Sequence, residues 1–300
     1  MATADMVESA RQAVGPIGVF VPNSMTEPIP AAAQRDAVRR FERLGYRAAW
    51  NNEAIGGKDA LVQLGMLLAA TDHMVFGSAI ANIWARQPEV THGAATTLAD
   101  AYPGRFVLGL GVGYAEQAAR TGHSFTSPLS IMRDYLDRMP APTLIPAPDV
   151  PYPRVVAALG PKMLALAGEA ADGAMPTLVP AEFTAQAREI LGPDKLLVVG
   201  LAVAKDADSA RPFLARMFGR PNSRYAAALA SLGYSPAELA DPSDRLVDAL
   251  VGFGGGAAVA AKAQAHLAAG ADHVMISPFP LDFAADVDLL AGLAPALTEL

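Results

Sequence analysis

Short, continuous apolar runs alternate along this chain with longer stretches in which apolar residues recur every three or four positions. Ile17–Pro22 (IGVFVP) is apolar throughout and closed by proline, the pattern of a strand buried on both faces. From Ala31 to Leu44, Ala37, Phe41 and Leu44 repeat at helical spacing while Arg39, Arg40 and Arg43 face away, and Gly45 supplies the stop. The same alternation predicts further strands at Tyr46–Glu53, Met74–Asn82, Arg105–Gly113, Arg154–Ala158, Asp172–Thr177, Leu196–Ala204 and Ala271–Ser277. Helices are expected at Asp59–Thr71, Pro88–Tyr102, Leu129–Met139, Pro161–Ala171, Thr184–Leu191, Ala207–Gly254, Ala257–Ala269 and Phe283–Leu297. Pro88-Glu89 suits a first helical turn, Pro103-Gly104 ends that helix, and Ser235-Pro-Ala-Glu238 reads as a capping box.

Eight strands, each followed by helix, predict an α/β fold of the (β/α)8 TIM-barrel type over residues 1–300 as one domain. Two stretches exceed a simple crossover: an insertion after the fourth strand, 114–153, and a helical excursion between the seventh and eighth strands, 205–256. The proline-rich stretch Pro140–Pro153 is too short to be a domain linker. No repeat of solenoid period is present.

Composition narrows the function. The 300 residues are 52% hydrophobic and 18% charged, enough apolar material for one large core. The net charge of −7, with no dense run of Lys and Arg, speaks against a nucleic-acid partner. There is no cysteine, which removes disulfides, thiolate metal sites and thiol nucleophiles. Residues 1–15 contain acids and lack the basic-then-apolar order of a secretory signal, and no apolar run reaches the ~18 residues of a membrane span, so the cytoplasm is the expected location and no membrane partner is expected.

In a parallel barrel, ligands bind where the strands end. The polar residues there are Asn23; Asn51, Asn52 and Glu53; Asn82, Trp84 and Arg86; Tyr114, Glu116 and Gln117; Gly160 and Lys162; and Ser277. Asn51-Asn52-Glu53 is the most informative cluster. A strand tip in a barrel mouth is partly desolvated, and a carboxyl there is a candidate for proton exchange; taken alone, the residue suits a loop cap or an ion pair with Lys58 or Arg47 better. Gly109-Leu-Gly111-Val-Gly113 fails the dinucleotide fingerprint, since Tyr114 and Glu116 stand where glycine is required. Those glycines serve either the close approach of a flat ligand or barrel packing. Ala158-Leu-Gly160-Pro161-Lys162 is either an anion site at a helix N-terminus or an ordinary turn. The small residues of Gly77–Asn82 leave room for a planar ring. The five histidines make no His-x-x-x-His pattern and no metal is expected; His92 and His273 read as structural, His123 as a loop residue. No Gly-x-Ser-x-Gly elbow is present, against a hydrolase triad.

Taken in order, YRAAWNNE, GSAIANIWARQPEV, YPGRFVLGLGVGYAE, VVAALGPKMLALAGEAADGA and AGADHVMIS resemble the luciferase-like monooxygenase superfamily, and within it the branch that uses the deazaflavin coenzyme F420. The resemblance runs from about 17 to 277. It implies a bacterial-luciferase-like barrel, often a homodimer through the helices at 59–71 and 88–102, with a flavin-type ring at the C-terminal face of the strands. It also implies a non-prolyl cis peptide at Ala79-Ile80 under the ring, continued by Ala81 and Asn82. Gly111 and Gly113 would line the cofactor, Asn52 and Glu53 would border it, and Leu159, Gly160, Pro161 and Lys162 would meet its tail or phosphate. Glu53, Trp84 and Tyr114 are the candidates for shaping contact with a small-molecule substrate, under a lid formed by 114–153.

Departures from the family pattern refine this expectation. Ala54 stands where many F420-dependent relatives carry histidine, and Tyr114 where the family's sugar-phosphate dehydrogenases carry glutamate. Pro180 stands near the position of a phosphate-binding lysine. Reduction of an activated double bond or imine therefore suits the chain better than sugar-phosphate oxidation. An FMN-dependent monooxygenase is the alternative flavoprotein reading, and a non-catalytic cofactor-binding barrel a third.

Overall fold

The computed structural model describes residues 3–24, 26–141, 144–146, 148–220, 222–279 and 282–300, so residues 142, 143 and 147 of the proline-rich stretch lie outside the described residues. In chain order the strands are β1 (Ile17–Phe20), β2 (Ala48–Asn51), β3 (Val75–Ser78) with its short continuation β4 (Ala81–Asn82), β5 (Phe106–Gly111), β6 (Arg154–Val156), β7 (Gly173–Ala174), β8 (Leu196–Val203), β9 (Val251–Gly252) and β10 (His273–Pro278). All pairings are parallel, and β10 bonds both β8 and β1, closing an eight-stranded (β/α)8 barrel. β4 pairs with β5 beyond the end of β3, and β9 pairs with the end of β8.

The helices are α1 (Thr3–Val14), α2 (Ala31–Arg43), α3 (Ala60–Leu68), α4 (Pro88–Ala101), α5 (Ala115–Arg120), α6 (Pro128–Arg138), α7 (Pro161–Ala170), α8 (Ala181–Leu191), α9 (Ala207–Phe218), α10 (Arg224–Ser231), α11 (Pro236–Ala240), α12 (Asp244–Leu250), α13 (Gly256–Ala268) and α14 (Phe283–Leu297). α2 buries Gln34, Ala37, Val38 and Phe41, one stripe at helical spacing. Pro88 and Pro161 open α4 and α7 at positions where no amide is needed.

Strand alternation sorts the apolar residues into two cores. Val19, Ala49, Phe76, Leu108, Val156, Leu197, Val199, Val274 and Ile276 face the helices. Their neighbours Phe20, Ala48, Trp50, Val75, Val107, Val155, Leu196, Val198 and Met275 fill the barrel interior. Val7, Ala10 and Val14 of α1 join this interior core, so α1 covers one end of the barrel. Sequence reading gave 3–14 no element, because three apolar residues at helical spacing are a weak signal without the barrel end they cover.

Missing side chains make the interior packing possible. A Cβ on Gly77 would lie 2.3 Å from the Trp50 ring, and one on Gly18 would lie 2.6 Å from His273 Nε2. Trp50 Nε1 donates to His273 Nε2 at 2.9 Å, and His273 Nδ1 lies 2.6 Å from the carbonyl of Gly15. His273 is therefore a neutral, structural imidazole with its proton on Nδ1. The β5 glycines settle likewise. A Cβ on Gly109 would strike the Ser78 carbonyl oxygen at 1.9 Å, and one on Gly111 would meet Ile80 at 2.6 Å. One on Gly113, at φ +51°, would meet the Gln117 and Asn82 side chains. The space these glycines free is taken by protein atoms, so barrel packing by itself requires them.

The helical stretch expected over Ala207–Gly254 consists of four helices and β9. Asn222 at φ 55° and Gly233 at φ 87° turn the chain where a helix cannot continue, and Ser223, Ser235 and Ser243 each cap a new start. Leu214, Phe218, Leu229, Leu246 and Leu250 form a satellite core packed on Ala202 and Val251.

Burial pushes His273 and His266 down to about 4. The unfolded chain accepts protons on both near 6.5, so their contribution to stability is complete above that pH and falls as pH drops towards 4. Burial pushes Asp286 up to about 7, and its folded carboxyl takes up a proton over the same range, which opposes part of the loss. The net expectation is a loss of about 2–3 kcal/mol between pH 7 and pH 4.5. Urea midpoints at the two pH values measure it; equal midpoints would remove the histidines as the acid-sensitive groups.

Candidate active site

The end of β2 is fixed by side chains that reach back to α3. Asn51 Nδ2 donates to the Ala60 carbonyl and to Gln63 Oε1. Glu53 is buried, and its carboxylate accepts from four N–H groups. Oε2 takes the Asn82 amide at 2.8 Å and Arg86 Nη1 at 3.0 Å, while Oε1 takes the Ala60 amide at 3.1 Å and Arg86 Nη2. Arg86 also pairs with Asp59, whose Oδ1 caps α3 at Val62. Burial disfavours charge on Arg86, but the two carboxylates more than offset it and push its pKa up. The ion-pair partner of Glu53 is thus Arg86. Lys58 donates to Ile29 and Gln34, and Arg47 to the Gln12 carbonyl. Glu53 is a clamp joining β2, β4 and α3, with both carboxylate oxygens engaged.

Above this clamp a cavity of about 310 Å³ opens at the C-terminal ends of the strands. β2 contributes Asn52 and Glu53, the β3–β4 bend Ala79, Ile80 and Asn82, and β5 the run Gly111–Tyr114 with Gln117 behind it. Ala157, Ala158 and Leu159 follow β6, and Met175 and Thr177 follow β7. The peptide Ala79-Ile80 is cis, as the family resemblance implies. Alanine, isoleucine, valine, leucine and methionine line it together with a few polar groups, the mixture found in sites for organic ligands. Asn82 Oδ1 accepts from the Trp84 amide, leaving the buried Nδ2 without a hydrogen-bond partner among the described residues. A buried donor left open beside a cavity suits an acceptor on a ligand's edge, so these residues fit a flavin-type ring.

Of the expected site residues, Asn52, Glu53, Ala79, Ile80, Asn82, Gly111, Gly113, Tyr114 and Leu159 line this one cavity. Ala81 lies beneath it, paired with Leu110. Gly160, Pro161 and Lys162 lie outside its wall, with Pro161 and Lys162 exposed. Trp84 faces a neighbouring cavity of about 680 Å³ with Arg86, His123 and Tyr135; its indole donates to the Val112 carbonyl at 2.7 Å and its ring packs against His123 and Phe125. Asn51 and Arg86 serve the clamp, and Glu116 is exposed.

Four lining residues of the helical excursion escaped sequence reading: Met217, Arg220, Arg224 and Tyr225. Burial, and next the neighbouring Tyr114 phenol, push the Tyr225 hydroxyl up to about 12, so it is a neutral donor. The available signal was Arg220-Pro-Asn-Ser-Arg224-Tyr225, a turn with a helix cap between two arginines, but nothing in the spacing ties that turn to the mouth. No cluster of three or more His, Asp or Glu residues suited to a metal ion, and no helix long and apolar enough to cross a membrane, occurs among the described residues.

The fold and site can be set beside known proteins. A 5,10-methylenetetrahydromethanopterin reductase from Methanolobus tindarius is 26% identical over 153 residues, which span 45% of this chain and 46% of that protein, about half its length. An F420-dependent secondary alcohol dehydrogenase, solved with an F420–acetone adduct, superposes with a TM-score of 0.72 at 15% identity, covering 94% of this chain and 98% of the other. The FMN-bound oxygenating constituent of 3,6-diketocamphane monooxygenase from Pseudomonas putida gives 0.68 at 14%, covering 95% and 98%. These structural likenesses speak to the fold. Residues 16–192 match the family profile described as "Luciferase-like monooxygenase", and with the barrel and the strand-end cavity in place the chain belongs to that family of oxidoreductases and monooxygenases.

Proposed function

We propose that this chain is a flavin-type oxidoreductase that moves a hydride between coenzyme F420 and a small organic substrate, with FMN as the alternative ring. The observation that carries this reading is convergence. The ends of β2, β4, β5, β6 and β7 line one cavity, and the open Asn82 Nδ2 is buried beside it. The methylenetetrahydromethanopterin reductase likeness favours an F420 enzyme, and the 3,6-diketocamphane monooxygenase structure keeps FMN in view.

The bound ring would supply the hydride acceptor or donor. The chain's own residues would do the rest. Ala79 and Ile80 would support one face, and Asn82 Nδ2 would donate to a ring-edge acceptor. The Glu53–Arg86 clamp would hold Asn82 in place through its backbone amide. Tyr114 and the neutral Tyr225, with Thr177 beside Tyr225 at 3.5 Å, would hold protons where a substrate carbonyl or imine can accept a hydrogen bond. Within 114–153, α6 buries Met132 and Leu136 and α5 buries Ala118, so both helices are anchored and a closing segment would exclude them. Residues 1–300 are read as one domain.

Titration of the purified protein with F420 and with FMN, followed by ring fluorescence, tests the proposal. Micromolar binding of one ring is the expected result, and binding of neither would overturn it. Asn82→Ala is expected to weaken binding of that ring about fivefold to tenfold, the worth of roughly 1 kcal/mol for one neutral hydrogen bond. An unchanged affinity would remove Asn82 from the site.

A further inference from the structure

We infer that Arg220 and Arg224 form a subsite for a fixed anionic group, a carboxylate, sulfonate or phosphate, at the edge of the strand-end cavity. The inference deepens the proposed function and rests on it for the identity of the cavity. Both arginines line the cavity, Arg220 from the segment that joins α9 to α10 and Arg224 from the first position of α10. Each guanidinium lies over an aromatic ring, Arg220 at 4.3 Å from the Tyr114 centroid and Arg224 at 5.5 Å from that of Phe125. Stacking holds a guanidinium while leaving its edge N–H donors free for a forked contact with an anion.

Neither guanidinium makes a hydrogen bond or an ion pair among the described residues; Arg220 takes part in one only through its carbonyl, which accepts from the Ser223 amide. This is the informative point in a chain of net charge −7, where acidic partners are plentiful. The other charged group on the cavity wall, Glu53, is already neutralised by Arg86. The wall therefore keeps two uncompensated positive charges. Arg224 is half-buried, and that burial lowers its pKa, the mark of a cation without a counterion. A partly desolvated, unpaired cation gains most from an anion brought by a ligand.

Two sources fit this chemistry: an anionic group on the substrate, or one on the cofactor's tail. Wild type and Arg220→Gln/Arg224→Gln are titrated with inorganic phosphate by calorimetry, and with F420, FMN and riboflavin by fluorescence. The subsite predicts that the double variant binds phosphate at least tenfold more weakly. If the tail is the occupant, binding of the tailed ring that wild type takes, F420 or FMN, also weakens at least tenfold while any riboflavin binding is unchanged. If the substrate is, that ring binds the variant as it binds wild type. Arg224→Lys, which keeps a cation, should recover part of the phosphate affinity, and Arg216→Gln, outside the cavity, should change nothing. Phosphate and ring affinities equal in wild type and the double variant, or no phosphate binding by wild type, would overturn the subsite. Phosphate binding lost in the variant, together with failure of every ring to bind either protein, would leave the subsite standing and sink the cofactor reading instead.

Discussion

Arg86→Met is expected to destabilise the folded protein by about 3–5 kcal/mol, the cost of leaving a buried charge without its partner. The Glu53 side chain is only 3% exposed and that of Arg86 11%, so water cannot replace the lost fork. Asp59, at 44% exposed, loses much less. The effect should reach the site, because Glu53 also fixes the Asn82 amide and the α3 start at Ala60. Ring affinity should therefore fall along with the urea midpoint. Removing both charges, in Arg86→Met/Glu53→Gln, should cost clearly less than the two single changes together. Urea unfolding of the four proteins reads the coupling directly, and a cost below about 1 kcal/mol for Arg86→Met would show that Glu53 does not depend on the fork.

Trp50→Ala is the second large effect, expected at about 3–5 kcal/mol for a fully buried aromatic removed from a packed interior. Trp50 is 0% exposed and occupies the space left by Gly77, while its indole satisfies His273. Trp50→Phe should cost less, about 1–3 kcal/mol, since it keeps bulk and abandons one buried acceptor. The pair Trp50 and Gly77 should be strongly coupled. Gly77→Ala alone places a Cβ 2.3 Å from the ring, whereas in a Trp50→Ala background the same methyl enters an empty space. Thermal or urea unfolding of the single and double variants measures this, and additive costs would mean that the two residues do not share that space.

Hydrophobic periodicity along the chain was sufficient for the eight barrel strands, the helices between them and the two excursions, because those patterns report local burial. It also placed Asn52, Glu53, Ile80, Asn82, Gly111, Tyr114 and Leu159 at strand ends, where topology turns sequence position into a shared mouth. Contacts between residues far apart were outside its reach. That Glu53 meets Arg86, 33 positions on, and that Gly77 and Gly18 yield to Trp50 and His273, are consequences of three-dimensional packing. The same holds for α1 against the barrel end and for Arg220 and Arg224 beside Tyr114 and Phe125. Periodicity records which face of an element is buried; which partner covers it, and which charge is left without one, is decided only when the chain closes on itself.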